Sequence, residues 1–122
     1  MNKLYHKEVF WNNRFDKEAM NLVYMAYRLS FHLKEHLNNP DRKHLYNEAD
    51  IWGCLERIKN DEGYLFEVET SNGKVCKSVY RVKYNDNTDM CIVIRPEMIV
   101  TAWVNKHDDK HSTLDTAKYV RG

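Results

Sequence analysis

Toward its C-terminal end the chain gathers side chains that can move protons and hold phosphate. Arg81, Thr101 and Asn105 are followed by the run His107-Asp108-Asp109-Lys110-His111, then by Ser112, Thr113 and Tyr119. Such a set suits RNA cleavage without metal. A histidine, with an unperturbed pKa of about 6.5, can take the proton of a 2′-hydroxyl or return one to the leaving oxygen. An arginine can hold phosphate bidentately and stabilise the extra charge of the transition state. On this reading His111 is the acid or base, Arg81 the phosphate clamp and Thr101 a positioning hydroxyl, while Thr113, Tyr119 and Asn105 contact substrate. The plainer reading is a solvated polar loop after the last strand, with Arg81 snorkelling from the sheet.

For these residues to work together they must share one surface, and the hydrophobic periodicity says which elements supply it. Phe15, Ala19, Leu22, Ala26, Leu29, Leu33 and Leu37 recur in steps of three and four, which defines one helical face. Asn12 or Asn13 is placed to cap its start, with Asp16 and Glu18 favourable against the helix dipole. Residues 23–29 also suit a short strand, which would split the segment into two elements near Ser30, but one helix is the expectation. Residues 1–13 mix aromatics with Asn and Lys and are expected to be a loosely packed or flexible N-terminal segment. Asn38-Asn39-Pro40-Asp41 stops the helix, because proline disfavours helix at the residue before it. A second helix is expected over 48–60, with Asn47 as N-cap, Asp50 three positions on, and an apolar face of Ile51, Leu55 and Ile58.

After Gly63 the period changes from helical to alternating. Strands are expected over 64–70 and 75–84, joined by the tight turn Ser71-Asn72-Gly73-Lys74, whose Asn-Gly pair is the strongest hairpin signal in the chain. A turn over 85–89 leads to strands over 90–95 and 98–105, separated near Pro96. The polar tail from Lys106 is expected to be irregular. The fold class is therefore α+β: one domain over residues 1–122, with N-terminal helices packed on one face of a four-stranded antiparallel sheet.

Composition narrows the function classes. With 43% apolar and 30% charged residues the chain is globular rather than disordered. Nineteen basic against 18 acidic side chains give a net charge of +1, so any nucleic-acid contact must be a local site rather than a general coat. Cys54, Cys76 and Cys91 are odd in number and widely spaced, which fits a reducing compartment better than a disulfide framework. No signal-peptide core and no window near the roughly 18 apolar residues of a membrane span is found, and a cytoplasmic protein is expected.

Two stretches carry a resemblance. Leu29-Ser30-Phe31-His32-Leu33-Lys34-Glu35-His36 looks like the Ser-x-His-x-x-x-Arg opening of small nuclease-like domains. Ile99-Val100-Thr101-Ala102-Trp103-Val104-Asn105, with Asp109-Lys110-His111-Ser112-Thr113-Leu114-Asp115 and Tyr119, looks like their closing strand and loop. The chain thus resembles, from about Leu29 to Tyr119, the barnase–EndoU–RelE-like group of metal-independent ribonucleases common in bacterial toxins and phage genomes. The resemblance implies two helices followed by a four-stranded antiparallel sheet. It makes His32 the histidine of the first helix and a second proton-transfer group, Arg81 the mid-sheet arginine, Thr101 the strand hydroxyl and His111 the loop histidine. It also implies RNA as substrate, no cofactor or metal, and an antitoxin or other protein partner. His36 departs from the pattern, standing where the family has arginine.

Other patterns have competing explanations. His32-Leu33-Lys34-Glu35-His36 matches H-x-x-E-H, in which two histidines one turn apart hold zinc and the glutamate acts as base; two solvated residues on a helix face are the commoner meaning. His107 and His111 read as parts of a solvated loop. Trp11, Trp52 and Trp103 could stack on unpaired bases or anchor the core, and Trp103, inside a strand alternation, reads as core. The alternative to catalysis is a small phage or accessory protein that binds and modulates a host protein.

Overall fold

A computed structural model describes residues 3–7, 13–40 and 46–108. In chain order they form β1 (Lys3–Lys7), α1 (Asn13–Met25), β2 (Arg28–Leu29), α2 (Phe31–Asn38), α3 (Glu48–Lys59), β3 (Gly63–Ser71), β4 (Lys74–Lys83), β5 (Thr88–Arg95) and β6 (Met98–Lys106). The class is α+β.

Strands β3 to β6 form the expected antiparallel meander, but the sheet is larger. Its order is β1-β3-β4-β5-β6-β2: β1 adds antiparallel to β3 at one edge and β2 adds parallel to β6 at the other, making a mixed sheet of six. The N-terminal segment, which periodicity leaves unassigned, therefore supplies an edge strand. The helical pattern of residues 15–37, expected as one helix, is instead split: α1 ends at Met25, Arg28–Leu29 pair with β6, and α2 begins at Phe31. Ser30 ends β2 and caps α2, accepting from the Leu33 amide at 3.1 Å and donating to the Val100 carbonyl at 2.6 Å. One hydroxyl thus both starts a helix and fastens it to β6.

Elsewhere local chemistry sets the elements as expected. Asn47 and Asp50 form a reciprocal capping box at the start of α3. Asn72 and Gly73 turn the β3–β4 hairpin with φ of 55° and 79°. Gly63 lies so close to β4 that a Cβ there would meet the Arg81 carbonyl oxygen at 2.9 Å. Asp89, expected in a turn, is instead the second residue of β5.

The helices cover one face of the sheet. Ala19, Leu22 and Val23 of α1, Leu33 of α2 and Ile51, Leu55 and Ile58 of α3 pack with Leu65, Tyr80, Val82, Met90, Ile92 and Ile99. Two attachments tighten this layer: the Glu18 carboxylate accepts from the Val75 amide at 2.9 Å, and the Tyr46 hydroxyl donates to the Ala102 carbonyl. On the opposite face Phe66, Val79 and Val93 form a second cluster, joined by Val100 and half-buried Trp103. The registers explain its membership. Cross-strand partners share a face, so Val79, Val93 and Thr101 form one row and Arg81, Cys91 and Trp103 the next. Bulges at Leu65/Glu67 and Val93/Ile94 each leave one residue unpaired, and these two, Phe66 and Val100, join the same cluster.

Candidate functional site

The face opposite the helices carries buried charge: Glu67, Glu69, Arg81 and Asp89 are each at most 1% exposed. Arg81 of β4 and Asp89 of β5 are diagonal neighbours, since Arg81 stands opposite Cys91. Arg81 Nε donates to Asp89 Oδ2 at 3.2 Å and its Nη2 donates to the Lys106 carbonyl at 2.8 Å. The Phe66 ring lies under the guanidinium, 5.0 Å from its carbon to the ring centroid. Charge buried this deeply is tolerated only when paired and hydrogen-bonded.

The other oxygen of Asp89 faces the end of β6. Oδ1 lies 3.0 Å from Nδ1 of His107, whose side chain is 64% exposed. The loop between β4 and β5 holds the backbone there: the His107 amide donates to the Asn87 carbonyl at 2.9 Å, and Asn85 Oδ1 accepts from the amides of Asn87 and Thr88, each at 3.0 Å. His107 is thus fixed by main chain and ring alike. A ring that donates its Nδ1 proton to the carboxylate leaves Nε2 as the accepting nitrogen, the arrangement that lets an imidazole act as a base toward solvent. It borders an open depression of about 580 Å³ lined by Asp86, Asn87, Thr88, Lys106, His107 and Asp108. Thr88 Oγ1 is buried and has no hydrogen-bond partner among the described residues.

The expected site residues are partly gathered. Arg81, Thr101 and Asn105 share the face opposite the helices, Thr101 opposite Val93 and Asn105 opposite Asp89. Arg81, however, neither snorkels nor presents its guanidinium to a ligand; it is 1% exposed and engaged by Asp89 and the Lys106 carbonyl. His32 is exposed on α2, in the helix layer, and α2 is fastened to Val100 near the opposite end of β6 from His107. It is not brought to Arg81. His111, Thr113 and Tyr119 lie outside the described residues. His32, Glu35 and His36 are exposed on α2, and among the described residues no group of three or more His, Cys, Asp or Glu converges as metal ligands would.

His107 and Asp89 are the pair that sequence reasoning missed. The available signal was strand parity: Thr101, Trp103, Asn105 and His107 alternate onto one face once β6 is extended to Lys106. Comparison with protein-family models, with curated proteins and with solved structures finds no match to this chain.

Proposed function

We propose that the chain is a metal-independent endoribonuclease-like protein that cleaves RNA by general acid–base transfer. The observation that carries this reading is the solvent-open His107 imidazole oriented by buried Asp89, on the same face as Thr101 and Asn105. His107 Nε2 takes the proton of a 2′-hydroxyl as that oxygen attacks the adjacent phosphorus. The bond to the 5′-oxygen breaks, a 2′,3′-cyclic phosphate forms, and the leaving oxygen receives a proton from a second acid. The resemblance nominates His111 for that acid. Arg81 serves by holding Asp89 rather than by clamping phosphate, and Lys106, on the rim of the depression, is the nearer cation for the substrate. No helix among the described residues is long and apolar enough to cross a membrane. Together with three free cysteines, this supports placing the activity in the cytoplasm, where RNA is abundant and thiols stay reduced.

The test is incubation of labelled total RNA with pure protein in EDTA, beside His107→Ala and His111→Ala. Cleavage lost in the His107 variant, with cyclic-phosphate ends on the wild-type products, supports the assignment. Full activity of His107→Ala removes His107 from the chemistry, and no cleavage by folded wild type removes the ribonuclease reading.

A second reading, a non-catalytic protein that binds and modulates a host protein, is favoured by two observations. Arg81 is spent on a structural ion pair, and Tyr24, Met25, Tyr27 and Phe31 are 46–77% exposed around β2.

A further inference from the structure

Between the start of α1 and the turn joining α3 to β3 lies a second concavity of about 230 Å³, separate from the His107 depression. Asp16 lines it from α1 and Asp61 from the turn; Met20 and Leu65 give it an apolar wall, and Tyr80 of β4 closes it from the sheet side at 4% exposure. Asp16, Asp61 and the Tyr80 hydroxyl have no ion pair or side-chain hydrogen bond among the described residues. Burial first, then the negative charges of Asp16 and Asp61, raise the Tyr80 hydroxyl's pKa above its ordinary 10.0, with no offsetting cation among the described residues. Burial likewise raises the Asp16 carboxyl's pKa. Among the described residues the concavity thus brings together two unpaired carboxylates and the hydroxyl of Tyr80, a residue only 4% exposed, beside the Met20 and Leu65 side chains.

We propose that this concavity binds a short protonated alkylamine, its ammonium shared by the Asp16 and Asp61 carboxylates and its methylenes laid against Met20 and Leu65. An ammonium brings three donors, which matches two carboxylates and the phenolic oxygen of Tyr80. A hard divalent cation fits poorly, because it seeks roughly six or more oxygen ligands, and Met20 and Leu65 make part of this wall apolar. None of the residues lining this concavity takes part in the proposed RNA chemistry, so amine binding here is independent of that reading.

The experiment is titration of the labelled full chain with butane-1,4-diamine at neutral pH, followed by amide chemical shifts, beside butane-1,4-diol as a neutral match and calcium as a rival. The proposal expects saturable shifts centred on Asp16, Gly63, Leu65 and Tyr80 with the diamine and none with the diol. It expects D16N and D61N each to weaken affinity about tenfold, the order of one charge-assisted bond. Asp61 is exposed, so D61N keeps the fold even if D16N does not, and its amide spectrum checks this. No saturation at millimolar diamine, an equal response to the diol, unchanged affinity in D61N, or calcium saturating the same amides more tightly than the diamine would each overturn it.

Discussion

Asp89 holds His107 from inside the sheet: a carboxylate almost wholly buried meets, at 3.0 Å, a ring that is 64% exposed. The two residues therefore respond differently to substitution. His107→Ala should leave stability nearly unchanged and lower RNA cleavage by about 10²-fold or more. Asp89→Asn should lower both, because it frees the ring and also breaks the partner of Arg81. Activity on RNA and urea midpoints, measured on the same preparations, separate the two; equal activity of His107→Ala and wild type would detach the pair from catalysis.

Arg81 should matter for folding before it matters for any substrate. Arg81→Met removes the buried partner of Asp89 and leaves its carboxylate only the His107 ring, at a cost of about 3–5 kcal/mol. Adding Asp89→Asn to that variant should restore part of the loss. A urea series of the two single variants and the double reads the coupling; strict additivity would mean that the ion pair is not the source.

Ser30→Ala should destabilise by about 1–2 kcal/mol, since it removes the cap of α2 and the bond to the Val100 carbonyl together. Ser30→Thr, which keeps both bonds in reach, should lose less. Thermal denaturation of the pair is the check.

Glu97 turns the β5–β6 connection with φ of 72° directly after Pro96, a conformation that favours glycine. Glu97→Gly should therefore stabilise by about 0.5–1 kcal/mol. A lower urea midpoint than wild type would show that the exposed Glu97 side chain contributes more than its backbone strain costs.

Tyr80 sets an alkaline limit. Burial, and then Asp16 and Asp61, raise its hydroxyl's pKa above 10.0. Between the unfolded and folded pKa values the unfolded chain gives up this proton while the folded one keeps it, so stability falls as pH rises past about 10. Tyr80→Phe should flatten that fall. Urea midpoints of wild type and variant at pH values on either side of about 10 should converge below it and diverge above it.

What could be read from the sequence was local. Asn47 and Asp50 announce their capping box within four residues, and Asn72-Gly73 announces its hairpin within two. The meander followed because consecutive strands with short connections pair with each other. The register of that meander sets Arg81, Thr101 and Asn105 on one face. What stayed hidden depends on partners far along the chain. β1 has no alternation to reveal it and is defined by β3 more than fifty residues away; its Leu4 stands opposite Thr70. Asp89 resembles its turn neighbours Asn85, Asp86 and Asn87 in type, and only the register that sets it opposite Asn105 makes it a strand residue beside His107. The burial of Arg81 was illegible for the same reason, since Asp89 and the Lys106 carbonyl are what make it tolerable.

The parallel pairing of β2 with β6 orders events during synthesis. Ser30 and Val100 are 70 positions apart, so the Arg28–Leu29 edge waits without a partner while the β3–β4–β5 meander emerges and folds. Throughout that interval Leu29 and Leu33, buried in the finished molecule, lack the strand they pack against. Of the described strands, the last to leave the ribosome is therefore the one that seals this edge, and a nascent chain stalled before Met98 would present it unpaired to chaperones and proteases.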